Sequence, residues 1–418
     1  MSMSTSKGQG PDGVNVPPVP RISLQAFCDS PDLAALIESA SEDRRMSKAH
    51  VKVHMGGAPA AIEAYRSAST PNVIVLEANH DREYLHAHLD ELSEFCDHGT
   101  KVVIVGRAND IALYRALMGR GVSDYLVMPL SVLDFIDAIA RLYVGEGAEP
   151  LGRIVAFVGA KGGVGASTIA HNVAWSIARD LDLQTVLADL DLPFGTVGLD
   201  FNQDPPQGLS DAIFAPDRLD ANFVDRLLSK CADKLSILAA PATLDRPYDL
   251  GETMFDSVLD ILRSSVPTVI LDVPHAWTSW SRRVLVGSDD VVVVATPDLA
   301  SLRNTKTLLD VLRAARPNDG QPKLVMNGIG LLKRPEISVT EFAKTVDVEP
   351  IVSLPFDAKL FGTAANNGQM IAEVDAACKV AEQIAEIARV VCGRNEIKRQ
   401  KKTLFDPLVA RFVRKKAS

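Results

Sequence analysis

Residues 160–168 read Ala160-Lys161-Gly162-Gly163-Val164-Gly165-Ala166-Ser167-Thr168. An apolar, β-type run (154–158) precedes them and a helical pattern (169–178) follows. A glycine-rich link between strand and helix lets several backbone N–H groups converge on the oxygens of one anion. The helix N-terminus adds its positive end. Such a loop belongs to a parallel sheet with covering helices, where ligands bind at the C-terminal ends of the strands. Ser167 stands where a hydroxyl would meet the Mg²⁺ of a nucleoside triphosphate. A glycine turn kept for packing alone is the competing reading, and the strand before and helix after weigh against it.

The rest of the chain supplies the expected surroundings. At 418 residues it is long for one domain, and 47% hydrophobic against 23% charged residues allows sizeable cores. Residues 1–20 are rich in Ser, Gly and Pro and are expected to form a mobile tail. A first unit, 21–145, alternates short apolar runs (22–27, 51–54, 73–76, 102–105, 125–127) with helical patterns. A linker follows at 146–152. The second unit, 153–392, repeats the alternation with runs at 154–158, 185–188, 235–239, 268–271, 291–295, 324–326 and 351–354. The expected fold is α/β, with two doubly wound parallel-sheet domains. The formal charge of −9 disfavours a general nucleic-acid coat, so DNA is an unexpected partner. Five scattered cysteines suggest a reducing compartment. The absence of a spanning apolar run suggests a cytoplasmic protein that meets a membrane only at its surface.

The loop departs from the common pattern at one position. Where Gly-Lys-[Ser/Thr] is usual, the lysine is replaced by Ala166, and a lysine stands early instead, at Lys161. This arrangement resembles the deviant Walker A loop of the ParA/MinD family of ATPases. The resemblance implies ATP and Mg²⁺ as cofactors, cradled by Gly162, Gly163, Val164, Gly165, Ala166, Ser167 and Thr168. It also implies that Lys161 reaches across a homodimer to the partner's phosphates. Asp191, in Asp189-Leu190-Asp191, resembles the switch residue that orients the attacking water, and Asp272, after the run 268–271, resembles a Walker B aspartate. Ser167, Asp189 and Asp272 are then the metal candidates, and Lys161 and Asp191 the catalytic ones. Asn327 and Pro355 match positions that frame the adenine, although without the resemblance both are ordinary turn residues. The missing second lysine removes a cation from the phosphates and implies weak binding or slow hydrolysis.

The first unit resembles a response-regulator receiver, a flavodoxin-like fold, with its active positions replaced. Cys28-Asp29 follows the first run, Glu77 stands where the phospho-accepting aspartate belongs, Gly106 replaces the hydroxyl residue and Met128 the lysine before Pro129. Phosphoryl transfer needs that set together, so a non-phosphorylated interaction module is expected. Glu77 is open to two readings, a fixed mimic of phospho-aspartate or a surface or capping residue. A degenerate receiver joined to this ATPase is similar to the TadZ/CpaE proteins of Tad (Flp) pilus assembly. The stretches 208–212, 296–304, 333–337 and 361–368 share in that likeness. It implies a polar localisation and assembly factor whose partners are itself, pilus-assembly proteins and polar proteins. In the basic segment 393–418, Leu404, Leu408, Val409, Phe412 and Val413 recur at helical spacing. They suit either peripheral contact with the inner membrane or packing on the same chain.

Overall fold

The structure, a computed structural model, describes residues 16–78, 82–144, 151–241, 244 and 247–394. The basic amphipathic segment at 404–413 lies outside them. Two sheets form, each covered by helices on both faces. The first holds β1 (Ser23–Cys28), β2 (His50–Met55), β3 (Val73–Ala78), β4 (Lys101–Gly106) and β5 (Asp124–Val127), all parallel, in the order β2-β1-β3-β4-β5. This is the flavodoxin-like order. β3 carries side chains alternately to the two faces. Val73 and Val75 pack with the Pro31–Ser41 and Val132–Arg141 helices, Ile74 and Leu76 with the Gly57–Tyr65 and Arg82–Ser93 helices. Val16 and Val19, inside the stretch expected to be a tail, are buried in the first of these cores.

Glu77, next to the end of β3, is a buried side chain. It accepts hydrogen bonds from the backbone N–H of Asp29 and Ser30 (both 2.8 Å) and from Ser30 Oγ (2.6 Å). The carboxylate is tied to the entry of the Pro31–Ser41 helix, where its charge also meets the positive helix end.

The second sheet holds β6 (Arg153–Gly159), β7 (Thr185–Asp189), β8 (Ser229–Ala232), β9 (Leu235–Leu238), β10 (Thr268–Val273), β11 (Asp290–Ala295), β12 (Lys323–Ile329) and β13 (Pro350–Pro355). Their order is β13-β12-β11-β6-β10-β7-β9-β8. All seven expected strands are present and mutually parallel. The eighth, β8, is a short antiparallel edge that the polar sequence Ser229-Lys230-Cys231-Ala232 had hidden. β6 sends Ile154, Ala156 and Val158 to one core and Val155 and Phe157 to the other.

The two units meet through charge. Between the Pro31–Ser41 helix and β2, Arg44 reaches the second unit. It donates to Asp319 from Nε (2.8 Å), to the Gly287 carbonyl (2.9 Å) and to Asp289 (3.3 Å). Arg45 pairs with Asp43 and with Asp319, and Asn318 donates to Asp43 at 2.9 Å. Arg263 binds Asp289 and Arg316 binds Asp319 from within the second unit. These charged groups are nearly all enclosed, with side chains 3–7% exposed. Every contact is made at the N-terminal edge of a sheet. Residues 43–46 precede β2, while Asp289 and Asp319 precede β11 and β12.

Burial alone would push the Asp319 carboxyl up. The hydrogen bond and charge of Arg44, with the charges of Arg316 and Arg45, instead hold it at about 2. Removing one member of a buried ionic network strands its partners, which costs about 3–5 kcal/mol. Asp319→Ala is therefore expected to lower the unfolding free energy by about that amount in urea titration. The wild type carries the linked pH dependence. Asp319 has a folded value below its unfolded one of about 3.9, so its contribution is complete above about pH 4 and is lost as the pH falls toward 2.

Candidate nucleotide site

β6 runs between β10 and β11 in parallel register. Its C-terminus therefore opens at the point where the order of connections reverses, the place where doubly wound sheets hold ligands. The chain leaves β6 through residues 160–165 and enters the Ala166–Asp180 helix. Gly163 (φ 75°) and Gly165 (φ 83°) take left-handed conformations that side chains disfavour, which folds the loop back on the helix end. The loop is held from behind. Asn327 Nδ2 donates to the Val164 carbonyl (2.8 Å), Asn304 Nδ2 to the Ala160 carbonyl (3.0 Å), and Ala160 N–H to the Val294 carbonyl (2.8 Å).

In front of the loop lies a cleft of about 650 Å³. Lys161, Gly162, Gly163, Val164, Gly165, Ala166, Ser167 and Thr168 form one wall, with Asp191 and Phe194 facing them and Tyr248, His275 and Trp280 among the other lining groups. Asp191 is half-buried and accepts from Phe194 N–H at 3.2 Å. Burial raises its carboxyl above the ordinary range, and the Phe194 bond works against that rise. Asn327 and Pro355 do not line this cleft. Asn327 acts on the loop itself, and Pro355 closes β13.

Asp189 and Asp272 also stand outside the lining, each one residue back along the chain from a residue that does line it, Leu190 and Val273. They are cross-strand partners at the ends of β7 and β10, and both are buried. Asp189 accepts from the N–H of Asp191 (3.0 Å) and of Val197 (3.1 Å), so the 190–197 segment wraps over it. Burial, with the charge of Asp272 beside it, pushes its carboxyl up to about 7 against the pull of His171.

Sequence reading missed His171. It lies four residues after Ser167, on the same face of the helix; that spacing was the available signal. Its Nδ1 is 2.6 Å from Asp200. Its Nε2 sits 3.4 Å from Asp272, an ion-pair distance without hydrogen-bond alignment. Burial alone would lower its pKa, but the two carboxylates raise it to about 10. The two carboxylates thus favour the charged form of His171, in a loop-and-helix unit whose usual lysine is Ala166. The ligand atoms of His171, Asp189 and Asp272 lie within 4.8 Å of one another. Mg²⁺ takes oxygen ligands and keeps several waters, which a fully buried triad containing an imidazole does not offer. Ser167 and Asp191 offer oxygens to the open cleft and fit a nucleotide-bound Mg²⁺, with Asp189 and Asp272 acting from behind them.

The fold resembles that of the ParA/MinD-type P-loop NTPases, joined to a second parallel-sheet domain. The chain is similar to a ParA family ATPase from Chlorobium tepidum TLS at 25% identity, over 56% of this chain and 98% of that one, with a TM-score of 0.52. It shares its fold with the septum site-determining protein MinD from Pyrococcus horikoshii OT3, solved with Mg-ADP, at 17% identity, over 58% of this chain and 96% of that one, with a TM-score of 0.52. It is also similar to the pilus assembly protein CpaE from Caulobacter crescentus CB15 at 50% identity, over 30% of this chain and 97% of that one, with a TM-score of 0.30. No protein-family model matches the chain.

His171→Leu would leave Asp189, Asp200 and Asp272 without their shared cation. The expected loss is about 3–5 kcal/mol of unfolding free energy, measured by urea titration at pH 7.

Proposed function

We propose that this chain is an ATP-binding localisation and assembly factor for a Tad/Flp-type pilus machine. In this reading Mg-ATP joins two copies of the chain, and hydrolysis is slow. The observation that carries it is the distribution of charge around the cleft. The loop offers converging N–H groups and Ser167, but its own lysine position is the neutral Ala166. The loop's cation, Lys161, stands at the rim, its side chain 30% exposed. A cation placed there is well situated to serve phosphates held by a facing copy.

The rim supports the same reading. Phe194, Trp277, Leu299, Leu332 and Phe356 are all exposed in the segments that follow the parallel strands. Exposed apolar groups gathered on one edge favour cover by another protein surface. Bound Mg²⁺ supplies charge neutralisation at the phosphates. The chain's own residues would do the rest: 162–168 would cradle the anion, Ser167 and Asp191 would offer oxygens to the metal, and Asp191 would orient water. The loss of the in-loop lysine weakens stabilisation of charge on the transferring group, which is the usual source of rate in such sites.

Assignment to pilus assembly draws on the sequence: the degenerate receiver, the altered loop, and the 50% identity with the CpaE protein over 30% of this chain. The partners are then pilus-assembly and polar proteins, with a cytoplasmic and polar location. Among the described residues no helix is long and apolar enough to cross a membrane.

Sedimentation with no nucleotide, with Mg-ADP and with Mg-ATP tests the reading. A dimer is expected only with Mg-ATP, and Lys161→Ala should remain a monomer. A mass indifferent to nucleotide, with no ATP bound, would make the protein a nucleotide-free scaffold. Restoring the lysine probes the other half of the argument. Ala166→Lys should tighten ATP binding by about tenfold or more in a calorimetric titration, because a charge-assisted bond to phosphate is worth about 1.5–3 kcal/mol.

A further inference from the structure

Lys161 is paired within its own chain. Its Nζ lies 3.5 Å from Oδ2 of Asp298. That oxygen also accepts from Thr296 Oγ1 (2.8 Å) and from Arg334 Nη2 (2.8 Å), while Oδ1 accepts from Ser301 N–H (3.0 Å) and caps the Leu299–Ala315 helix. Two cations therefore share one carboxylate oxygen. The residue before Lys161 is fixed to the same helix, since Asn304 holds the Ala160 carbonyl. The backbone root of Lys161 is anchored and its side chain alone has room to move.

We propose that Asp298 is a positioning residue that stores Lys161 within the subunit, and that Arg334 is the cation that stays with Asp298 when Lys161 departs to a second copy of this chain. The departure rests on the dimer reading above; the storage contact does not. Releasing Lys161 leaves no bare carboxylate, because Arg334, Thr296 and the helix N-terminus still satisfy Asp298. The contact thus restrains Lys161 weakly and reversibly. Asp298 directly precedes Leu299 and Arg334 follows Leu332 by two residues, and these leucines, 74% and 89% exposed, belong to the rim that the second copy would cover. An ion pair this open to solvent changes an equilibrium by about threefold, and a dimer opens two of them, so the combined effect is about tenfold.

The test uses Asp298→Asn, which keeps the helix cap because asparagine caps as well as aspartate. Labelling of Lys161 by an amine-reactive reagent in the nucleotide-free chain, read by mass spectrometry, should rise about threefold in this variant. An unchanged rate would overturn the storage contact, whatever the masses in solution. The ATP concentration that half-saturates dimerisation should fall by about tenfold in Asp298→Asn and rise in Arg334→Ala. Arg334→Ala should have no further effect once Asp298 is Asn. A wild type that dimerises while Asp298→Asn needs the same ATP or more would overturn the release step. Faster labelling in a chain that stays monomeric with Mg-ATP would uphold the storage contact and overturn the dimer reading alone.

Discussion

The site depends on the parallel pairing of β6 with β10 and β11. Because register is shared along the three strands, their C-terminal ends fall at one edge, and whatever follows them converges there. β6 delivers the glycine loop, β10 delivers Asp272, and β11 delivers the turn that holds Asp298. β7, paired with β10, adds Asp189 and the Asp191 segment. Residues more than a hundred positions apart are thereby brought within hydrogen-bonding reach. A one-residue slip of β10 would turn Asp272 to the opposite face and leave His171 without its ion pair. The alternating cores on either side of β6 specify that register strongly.

Buried charge is handled in two ways. At the junction of the units, arginines and aspartates are interleaved so that each guanidinium meets a carboxylate or a carbonyl, with Asp319 serving three arginines. Behind the glycine-loop cleft two carboxylates lie side by side and one histidine faces them. The first arrangement is rigid, since planar guanidinium groups fix the geometry of their partners. The second joins Asp272 to Asp200, just beyond the segment that wraps Asp189, so the floor of the site is tied to its wall.

Much of this was legible in the sequence. The parallel strands were marked by runs of Val, Ile and Leu, and the loop by its glycines between strand and helix. The grouping of Lys161, Ser167 and Asp191 around one cleft followed from motif order. The antiparallel β8 was not legible, because its residues are polar and it is held only by pairing at the sheet edge. Val16 and Val19 were lost in a Pro-rich context that reads as tail. Asn327, expected beside a base, also braces the loop through the Val164 carbonyl, a contact that depends on backbone direction rather than residue type. The Arg44–Asp319 contact spans 275 positions, and no local pattern announces a pairing of that range.

The junction has a consequence for how the molecule can present itself. Both sheets give their N-terminal edges to the contact, so the C-terminal edges of both stay clear of it. The chain is therefore two-ended: one end offers the glycine-loop cleft, the other the rim beside Glu77 and Asp29, with an ionic weld between them. Two such chains brought together at their cleft ends would carry the five-stranded domains outward on either side. A surface bearing several matching sites would then be gripped twice, and the second grip would be strengthened by proximity rather than by any new contact.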